Sequence, residues 1–138
     1  MTATAILSSR IIEFYEKISS WEHDVVKGSG LSPAQMHTIE IVGHAGSLRM
    51  KELAKKMGVT TGTLTVMVDR LEQQGLLTRT QHAQDRRSFL ISLTGSGHRL
   101  FAEHHQYHLQ LTEEIAATLS EEEQEQFGAI LEKILSHL

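Results

Sequence analysis

The sequence predicts a mainly α-helical domain that carries one small β-hairpin. Three observations predict this class. Apolar residues recur at helical spacing over most of the 138 residues. Two short helical segments meet at a glycine near the middle of the chain. Beyond them, "LLTRT" and "SFLISL" have strand composition and flank the polar tip "QHAQDRR", which is typical of a hairpin.

Two helices are predicted in the first third of the chain. The first covers residues 6–26, because its apolar residues alternate at spacings of three and four. The second begins in "LSPAQ", where Ser32 can cap the helix, Pro33 suits the first helical position and Gln35 completes a capping box. It is predicted to end near His44. The apolar stripe of the first helix consists of Leu7, Ile11, Phe14, Ile18, Trp21 and Val25.

The middle of the chain predicts a helix-turn-helix followed by the hairpin. Residues 50–57 form a short amphipathic helix that Gly58 ends, and residues 61–74 form a second helix that Gly75 ends. A short helix, a tight turn, a second helix and a two-stranded ribbon together make a winged helix-turn-helix. We assign residues 31–94 to this DNA-binding region, within a chain that forms one compact domain overall.

The last third of the chain predicts two more helices. Thr94 and Ser96 can cap a long helix that reaches about Leu119, and "SEEE" opens the last helix with a second capping box. A core of this size cannot bury the apolar stripes of both ends of the chain. We therefore expect residues 1–30 and 95–138 to pair with a second copy in a two-fold dimer, the alternative being packing within one chain. The last stripe consists of Phe127, Ile130, Leu131, Ile134 and Leu138.

Charge is distributed unevenly along the chain. The net charge is −4, yet the segment from Arg49 to Arg99 holds nine Lys and Arg against four Asp and Glu. A basic middle between acidic ends predicts one surface that meets a polyanion. There is no cysteine, which excludes disulfides and thiol redox sensing. No apolar run is long enough to span a membrane, so we expect a cytoplasmic protein without a membrane partner.

The second helix of the helix-turn-helix carries the candidate DNA contacts. A major groove is wide enough for an α-helix, and small hydroxyl side chains allow close approach to phosphates and base edges. Arg70 lies one turn further along and can contact a base or a phosphate. Arg86 and Arg87 at the hairpin tip suit a narrow, electronegative minor groove. The candidate hydroxyls are those of Thr60, Thr61, Thr63 and Thr65.

The segment "ELAKKMGVTTGTLTVMVDRLEQQGLLTR", followed by "QDRRSFLISLTGSG", resembles the DNA-binding core of the MarR family over about residues 50–97. The resemblance implies a homodimeric transcriptional regulator that binds a pseudo-palindromic operator in double-stranded DNA. It also implies that Asp85 braces the wing and that Arg87 or Arg86 enters the minor groove. Met50 departs from the pattern, which usually has a capping Ser or Thr there. A winged helix that only docks proteins is the alternative.

The stretch "EHHQYH" places histidines on the inner face of the predicted fifth helix. Its stripe runs from Leu100 through positions 104 and 108, so His104 and His108 face inward and His105 does not. Two imidazoles at i and i+4 lie one above the other and suit two ligands of one zinc ion, which needs about two more. A metal-free, pH-responsive cluster and ordinary core histidines are the alternatives.

Within the MarR family, these histidines resemble the zinc-sensing AdcR and ZitR branch. That resemblance implies an acidic ligand in "EHDVVKG", which is Asp24 with Glu22 as substitute, and a ligand at His37 in "LSPAQMH". With His104 and His108 these residues would hold one zinc per protomer. The branch's second metal site uses a cysteine, which this chain lacks. Metal would promote operator binding, which makes the protein a zinc-modulated repressor.

Other functions remain as alternatives. An ordinary MarR repressor would be released by a small aromatic or anionic effector, with no metal role. A zinc hydrolase needs an open metal position and a general base, but no H-E-x-x-H is present and Glu103 points away from the ligand face. We therefore expect that the protein is not an enzyme.

Overall fold

The computed structural model of the chain describes residues 1–85 and 87–138. It has the predicted helical architecture with a small antiparallel sheet. Within the described residues, no helix combines the length and the apolar character that crossing a membrane requires. The elements in chain order are α1 (Ala3–Lys27), α2 (Pro33–Ala45), β1 (Ser47–Arg49), α3 (Met50–Met57), α4 (Thr61–Gln73), β2 (Leu77–Gln81), β3 (Phe89–Leu93), α5 (Gly95–Ala116) and α6 (Glu121–Leu135).

The sheet has three strands in the order β1-β3-β2, all antiparallel. The predicted hairpin of β2 and β3 is confirmed, with Arg79 opposite Ile91. The prediction of only two strands was incomplete, because β1 pairs with β3 and places Leu48 opposite the same Ile91. Three residues are too few to show a period-2 pattern, so pairing with β3 and burial of Leu48 define this strand.

The chain divides into two compact units, Met1–Ala102 and Glu103–Leu138. The first unit contains one hydrophobic core that α1, α2, α3, α4 and the sheet all supply. Apolar residues at helical spacing face this core, and burying each large side chain contributes about 1.5–3 kcal/mol. Its fully buried side chains include Val26, Met36, Ile39, Val42, Leu53, Leu64, Val68, Leu71, Leu77 and Ile91.

Helix caps set the boundaries that the sequence predicts. Ser32 and Gln35 form the predicted capping box at the start of α2. Helix α3 begins without a hydroxyl cap. Instead, the carboxylate of Glu52 accepts the N–H of Arg49 at 3.2 Å, and Met50 is the first helical residue. Acidic side chains near a helix N-terminus are favourable, so Glu52 compensates for the absent Ser or Thr.

Gly58 makes the turn between α3 and α4 possible. Its φ is +69°, a left-handed conformation that side chains disfavour, and its N–H donates to the carbonyl of Lys55 at 3.2 Å. The N–H of Val59 then donates to the carbonyl of Ala54 at 3.1 Å. The chain reverses within Gly58–Thr60, and α4 starts at Thr61. This turn fixes the direction in which α4 leaves α3.

The start of α5 is joined to the end of α4 within the first unit. The hydroxyl of Thr94 accepts the N–H of Gly97 at 3.0 Å and donates to the carbonyl of Gly75 at 2.5 Å. The N–H of Thr94 donates to the carbonyl of Leu76 at 3.1 Å. Thr94 is thus the cap that the sequence predicts for the long helix. Because these bonds hold the end of β3 to the turn after α4, the wing is anchored at its base.

The unit Glu103–Leu138 consists of the rest of α5 and all of α6. Helix α5 ends at Ala116, three residues before the predicted end, and the side-chain amide of Gln124 donates to the carbonyls of Ala116 and Leu119. The predicted capping box of Ser120 and Glu123 is confirmed. Every residue of α6 is exposed, including its large apolar side chains.

Candidate DNA interface and histidine pair

Helix α4 presents one face to the core and two sides to solvent. Leu64, Val68 and Leu71 are fully buried, which fixes the rotation of the helix about its axis. The outward positions Thr63, Val66 and Arg70 are exposed and lie three and four residues apart, which places them on one stripe. They line a groove of about 370 Å³ with Met67 and with Ser32 and Gln35 from the start of α2.

Local hydrogen bonds engage three of the four predicted threonines. Thr60 is the N-cap of α4, because its hydroxyl accepts the N–H of Thr63 at 3.2 Å and donates to the Thr63 hydroxyl at 3.1 Å. The hydroxyl of Thr65 donates to the carbonyl of Thr61 at 2.7 Å. Thr60 therefore stabilises the helix end, while the exposed Thr61 and Thr63 are the hydroxyls best placed to meet a ligand.

Asp85 forms two hydrogen bonds inside the tip of the wing. One carboxylate oxygen accepts the N–H of Arg87 at 3.0 Å, and the other accepts the hydroxyl of Ser88 at 3.1 Å. These two donors, the backbone N–H first, hold the pKa of Asp85 below its ordinary value of 3.8. The exposed side chain of Arg87 follows directly on this turn. Arg86, the other predicted minor-groove residue, lies outside the described residues.

Four cations surround a second groove between α3, α4 and the wing. Arg49, Lys51, Arg79 and Arg87 line a space of about 400 Å³ together with Met50, Thr61, Thr65, Ser88 and Phe89. In the sequence, Arg49 and Lys51 were recognised only as part of the basic segment, with no role of their own. A groove with this charge beside the outward side of α4 suits the phosphates that border a DNA groove.

Two of the cations that line this groove contact neighbouring side chains. The guanidinium of Arg79 pairs with Asp69 and lies 3.5 Å from a carboxylate oxygen of Glu72, so it offsets the two acidic side chains of α4. At the wing, Nη2 of Arg49 lies 3.1 Å from Nε2 of His82, which joins β1 to the tip of the hairpin. Arg49, Lys51 and Arg87 therefore supply the net positive charge.

The structure pairs His104 with His108 inside the second unit. Their Nε2 atoms lie 3.1 Å apart, and the rings meet edge to face with centroids 4.8 Å apart. His104 is buried, with 2% of its surface exposed, His108 is half-buried and His105 is exposed, as the apolar stripe predicts. Two ring nitrogens that point at one another can share a proton or a metal ion.

Carboxylates, not Asp24 or His37, occupy the inner faces of α1 and α2 in the first unit. Glu22 and Glu40 are half-buried and each places a carboxylate oxygen within 4.8 Å of the other. Asp24 and His37 are both exposed. Asp24 follows the inward Glu22 by two residues and His37 follows the buried Met36 by one, and helical residues one or two apart lie on different faces.

Glu40 was not among the residues predicted from the sequence, although a signal was present. Glu40 follows the buried Met36 by four residues, and Glu22 precedes the buried Val26 by four. Each glutamate therefore lies on the core-facing stripe of its helix. An acidic residue on an apolar stripe is unusual, because burying a charge is costly unless it is paired. Helical spacing in the sequence is therefore sufficient to select Glu22 and Glu40 as candidate site residues.

Residues 31–89 of the chain match the sequence profile of the MarR family. The HTH-type transcriptional repressor MdtR of Bacillus subtilis is 36% identical over 89 residues. The alignment covers 64% of this chain and 57% of MdtR, so it spans little more than half of that protein.

Solved structures resemble the chain over nearly its whole length. The crystal structure of Streptococcus pneumoniae FabT in complex with DNA is 26% identical, with a TM-score of 0.88, covering 97% of this chain and 96% of FabT. The crystal structure of the Staphylococcus aureus MepR–DNA complex is 27% identical, with a TM-score of 0.74, covering 95% of this chain and 96% of MepR. MdtR is thus named a transcriptional repressor, and both of these structures are complexes with DNA.

Proposed function

We propose that the chain is a MarR-family winged-helix transcriptional regulator, that it represses transcription by binding operator DNA as a homodimer, and that zinc modulates this binding. The single observation that carries DNA binding is the exposed stripe of α4 between a basic groove and the start of α2. MdtR is named a transcriptional repressor, which supports a regulatory function for this chain.

Helix α4 is proposed to enter the major groove, which is wide enough to admit it. The cations Arg49, Lys51 and Arg87 would then contact the phosphates on one side of that groove. Arg87 also stands at the wing, where it can enter the adjacent minor groove. FabT and MepR have been crystallised with DNA, and their likeness to this chain supports the same mode of docking here.

The dimer is proposed from apolar surface that the single chain leaves exposed. Helix α1 exposes Leu7 and Ile11 at more than half of their surface, and α6 exposes Ile130 and Leu135 to a similar extent. Monomeric proteins rarely expose apolar stripes of this length. A two-fold dimer buries both stripes and supplies two copies of α4, which matches a pseudo-palindromic operator with half-sites roughly 34–36 Å apart.

The zinc proposal rests on the separation of the two imidazoles. Two nitrogens on one tetrahedral zinc, each bonded at about 2.0–2.1 Å, lie roughly 3.3 Å apart, close to the 3.1 Å between His104 and His108. Glu22 and Glu40 form a separate close pair of candidate ligands on α1 and α2 of the first unit. We therefore propose that His104 and His108 are zinc ligands within the second unit.

Zinc bound by His104 and His108 would fix a part of α5 that belongs to the proposed dimerisation region, residues 95–138. The dimerisation region would set the distance between the two copies of α4, so zinc would favour one spacing of the recognition helices. If that spacing is the one DNA needs, zinc and DNA each tighten the binding of the other by the same factor.

The test compares the candidate ligands one by one in the full-length, metal-free protein. Zinc binding is followed by calorimetry and by the fluorescence of Trp21, the only tryptophan, which is adjacent to Glu22. His104→Ala is expected to weaken zinc binding about 100-fold or more, and the exposed neighbour His105→Ala is the matched control. Glu22→Gln, Glu40→Gln, Asp24→Asn and His37→Ala then test which of these residues supplies a further ligand.

Operator binding with and without zinc separates the sensor from a simple metal site. DNA affinity is expected to rise when zinc is added to the wild type and to stay constant for His104→Ala. Loss of zinc binding in Asp24→Asn and His37→Ala alone would restore the ligand set that the sequence predicts. If zinc does not bind but a phenolic acid raises the melting temperature, the protein is a repressor released by a small aromatic or anionic ligand.

A further inference from the structure

Val66 is an apolar side chain at the centre of the exposed stripe of α4. It is 55% exposed, and it lies between the hydroxyl of Thr63 three residues before and the guanidinium of Arg70 four residues after. The core does not require it, because Leu64 and Val68 on the other face are fully buried. Valine also has a lower helix propensity than alanine, so folding gives no reason for it here.

The surroundings of Val66 indicate what it meets. The groove that it lines combines the apolar side chains of Val66 and Met67 with hydrogen-bonding groups of Thr63, Arg70, Ser32 and Gln35, a mixture that suits the edge of a base pair. Its two methyl groups can neither donate nor accept a hydrogen bond. In a major groove, the apolar group that distinguishes one base from the other three is the C5-methyl group of thymine.

We propose that Val66 contacts the methyl group of a thymine in each operator half-site, and so makes the protein prefer thymine at that position. This inference deepens the proposed DNA-binding function, because it names a base and the side chain that selects it. Removing the methyl group from that thymine is expected to weaken binding about fourfold, the effect of one buried methyl or methylene group at about 0.8 kcal/mol.

The test begins with the full-length protein and a library of random duplex DNA, from which the preferred site is selected. Each thymine of that site is then replaced singly by uracil, which keeps the base pairing and removes only the methyl group. For the wild type, replacing one particular thymine of either half-site is expected to weaken binding about fourfold. For Val66→Ala, the same replacement is expected to have no effect, which gives a double-mutant cycle between one side chain and one methyl group.

Two controls keep the result interpretable. Val66→Ala removes an exposed side chain, so its melting temperature is expected to match that of the wild type. Arg87→Ala is expected to weaken binding to thymine and uracil duplexes equally, because it removes a phosphate or minor-groove contact.

Three outcomes would overturn the inference. If wild type and Val66→Ala respond alike to every uracil replacement while both bind the selected site, Val66 does not contact a thymine methyl, and DNA binding stands. If the protein binds DNA but selects no sequence, it has no base-selecting residue of this kind. If it binds no DNA, the proposed function fails with the inference.

Discussion

Helices α4 and α6 are similar in length and in their hydroxyl caps, but they differ in what their apolar residues contact. Helix α4 has 13 residues and buries Leu64, Val68 and Leu71 completely in the core of its own chain. Helix α6 has 15 residues, and all of them are exposed. The position of α4, the helix that we propose enters the major groove, is therefore set within one chain. The last helix carries a stripe whose partner we propose to be a second copy.

The difference shows that an apolar stripe predicts burial but does not identify the partner. Both helices have the spacing of an amphipathic helix, and each begins at a hydroxyl cap, Thr60 or Ser120. The two helices differ in what their apolar stripe packs against. Substitutions in the two stripes should consequently affect two different quantities, the free energy of unfolding for α4 and the dimer dissociation constant for α6.

The largest effect is expected in α4. Leu64→Ala should lower the free energy of unfolding by about 2–5 kcal/mol, because it removes buried methyl groups and leaves a cavity in the core. The matched control is Val66→Ala, two residues away and exposed, which should change that quantity by less than about 0.5 kcal/mol. Urea unfolding at one protein concentration measures both. Equal losses in the two variants would contradict the assignment of the two faces of α4.

The second effect is expected in α6. Ile130→Asp should raise the dimer dissociation constant about 100-fold or more, because a carboxylate would be buried in an apolar interface. Ala129→Asp adds the same charge about 100° away around the helix, off the apolar stripe, and should leave the dimer nearly intact. Sedimentation over a range of protein concentrations measures the constant. A dimer that survives Ile130→Asp would assign this stripe to another partner.

Most of the fold could be predicted from the sequence because its signals are local. Capping residues such as Ser32 and Ser120 and the turn at Gly58 act over three or four residues, and periodicity acts over one helix. Strand β1 could not be predicted, because a three-residue strand exists only through its pairing with β3, more than 40 residues away. Non-local pairing leaves no local pattern.

The candidate site residues also differ in whether the signal that predicts them is local. His104 and His108 lie four residues apart on one helix, so the sequence alone predicts that they meet, and their nitrogens are 3.1 Å apart. The acidic residues belong to two other helices, and the resemblance to zinc-sensing regulators pointed to Asp24 and His37. The rotation of α1 and α2 about their axes turns these two side chains outward and turns Glu22 and Glu40 inward.

The smallest effect concerns the tip of the wing, where local hydrogen bonds hold the turn. The carboxylate of Asp85 accepts from Arg87 and Ser88, and this lowers its pKa. A lowered pKa means that the contribution of Asp85 is complete above its ordinary value of 3.8 and is lost as the pH falls through the lowered pKa. The wing turn should therefore be intact at neutral pH and open only in acid.

An NMR titration of the Arg87 amide proton tests this expectation. In the wild type its chemical shift should change with a midpoint below 3.8, as protonation of Asp85 weakens the bond that the amide donates. In Asp85→Asn the change should disappear, because the asparagine side chain does not titrate. A midpoint at or above 3.8 in the wild type would mean that Asp85 does not hold the turn. The wing would then depend on the Arg49–His82 contact at its other edge. In that case Arg49→Ala should loosen the hairpin at neutral pH.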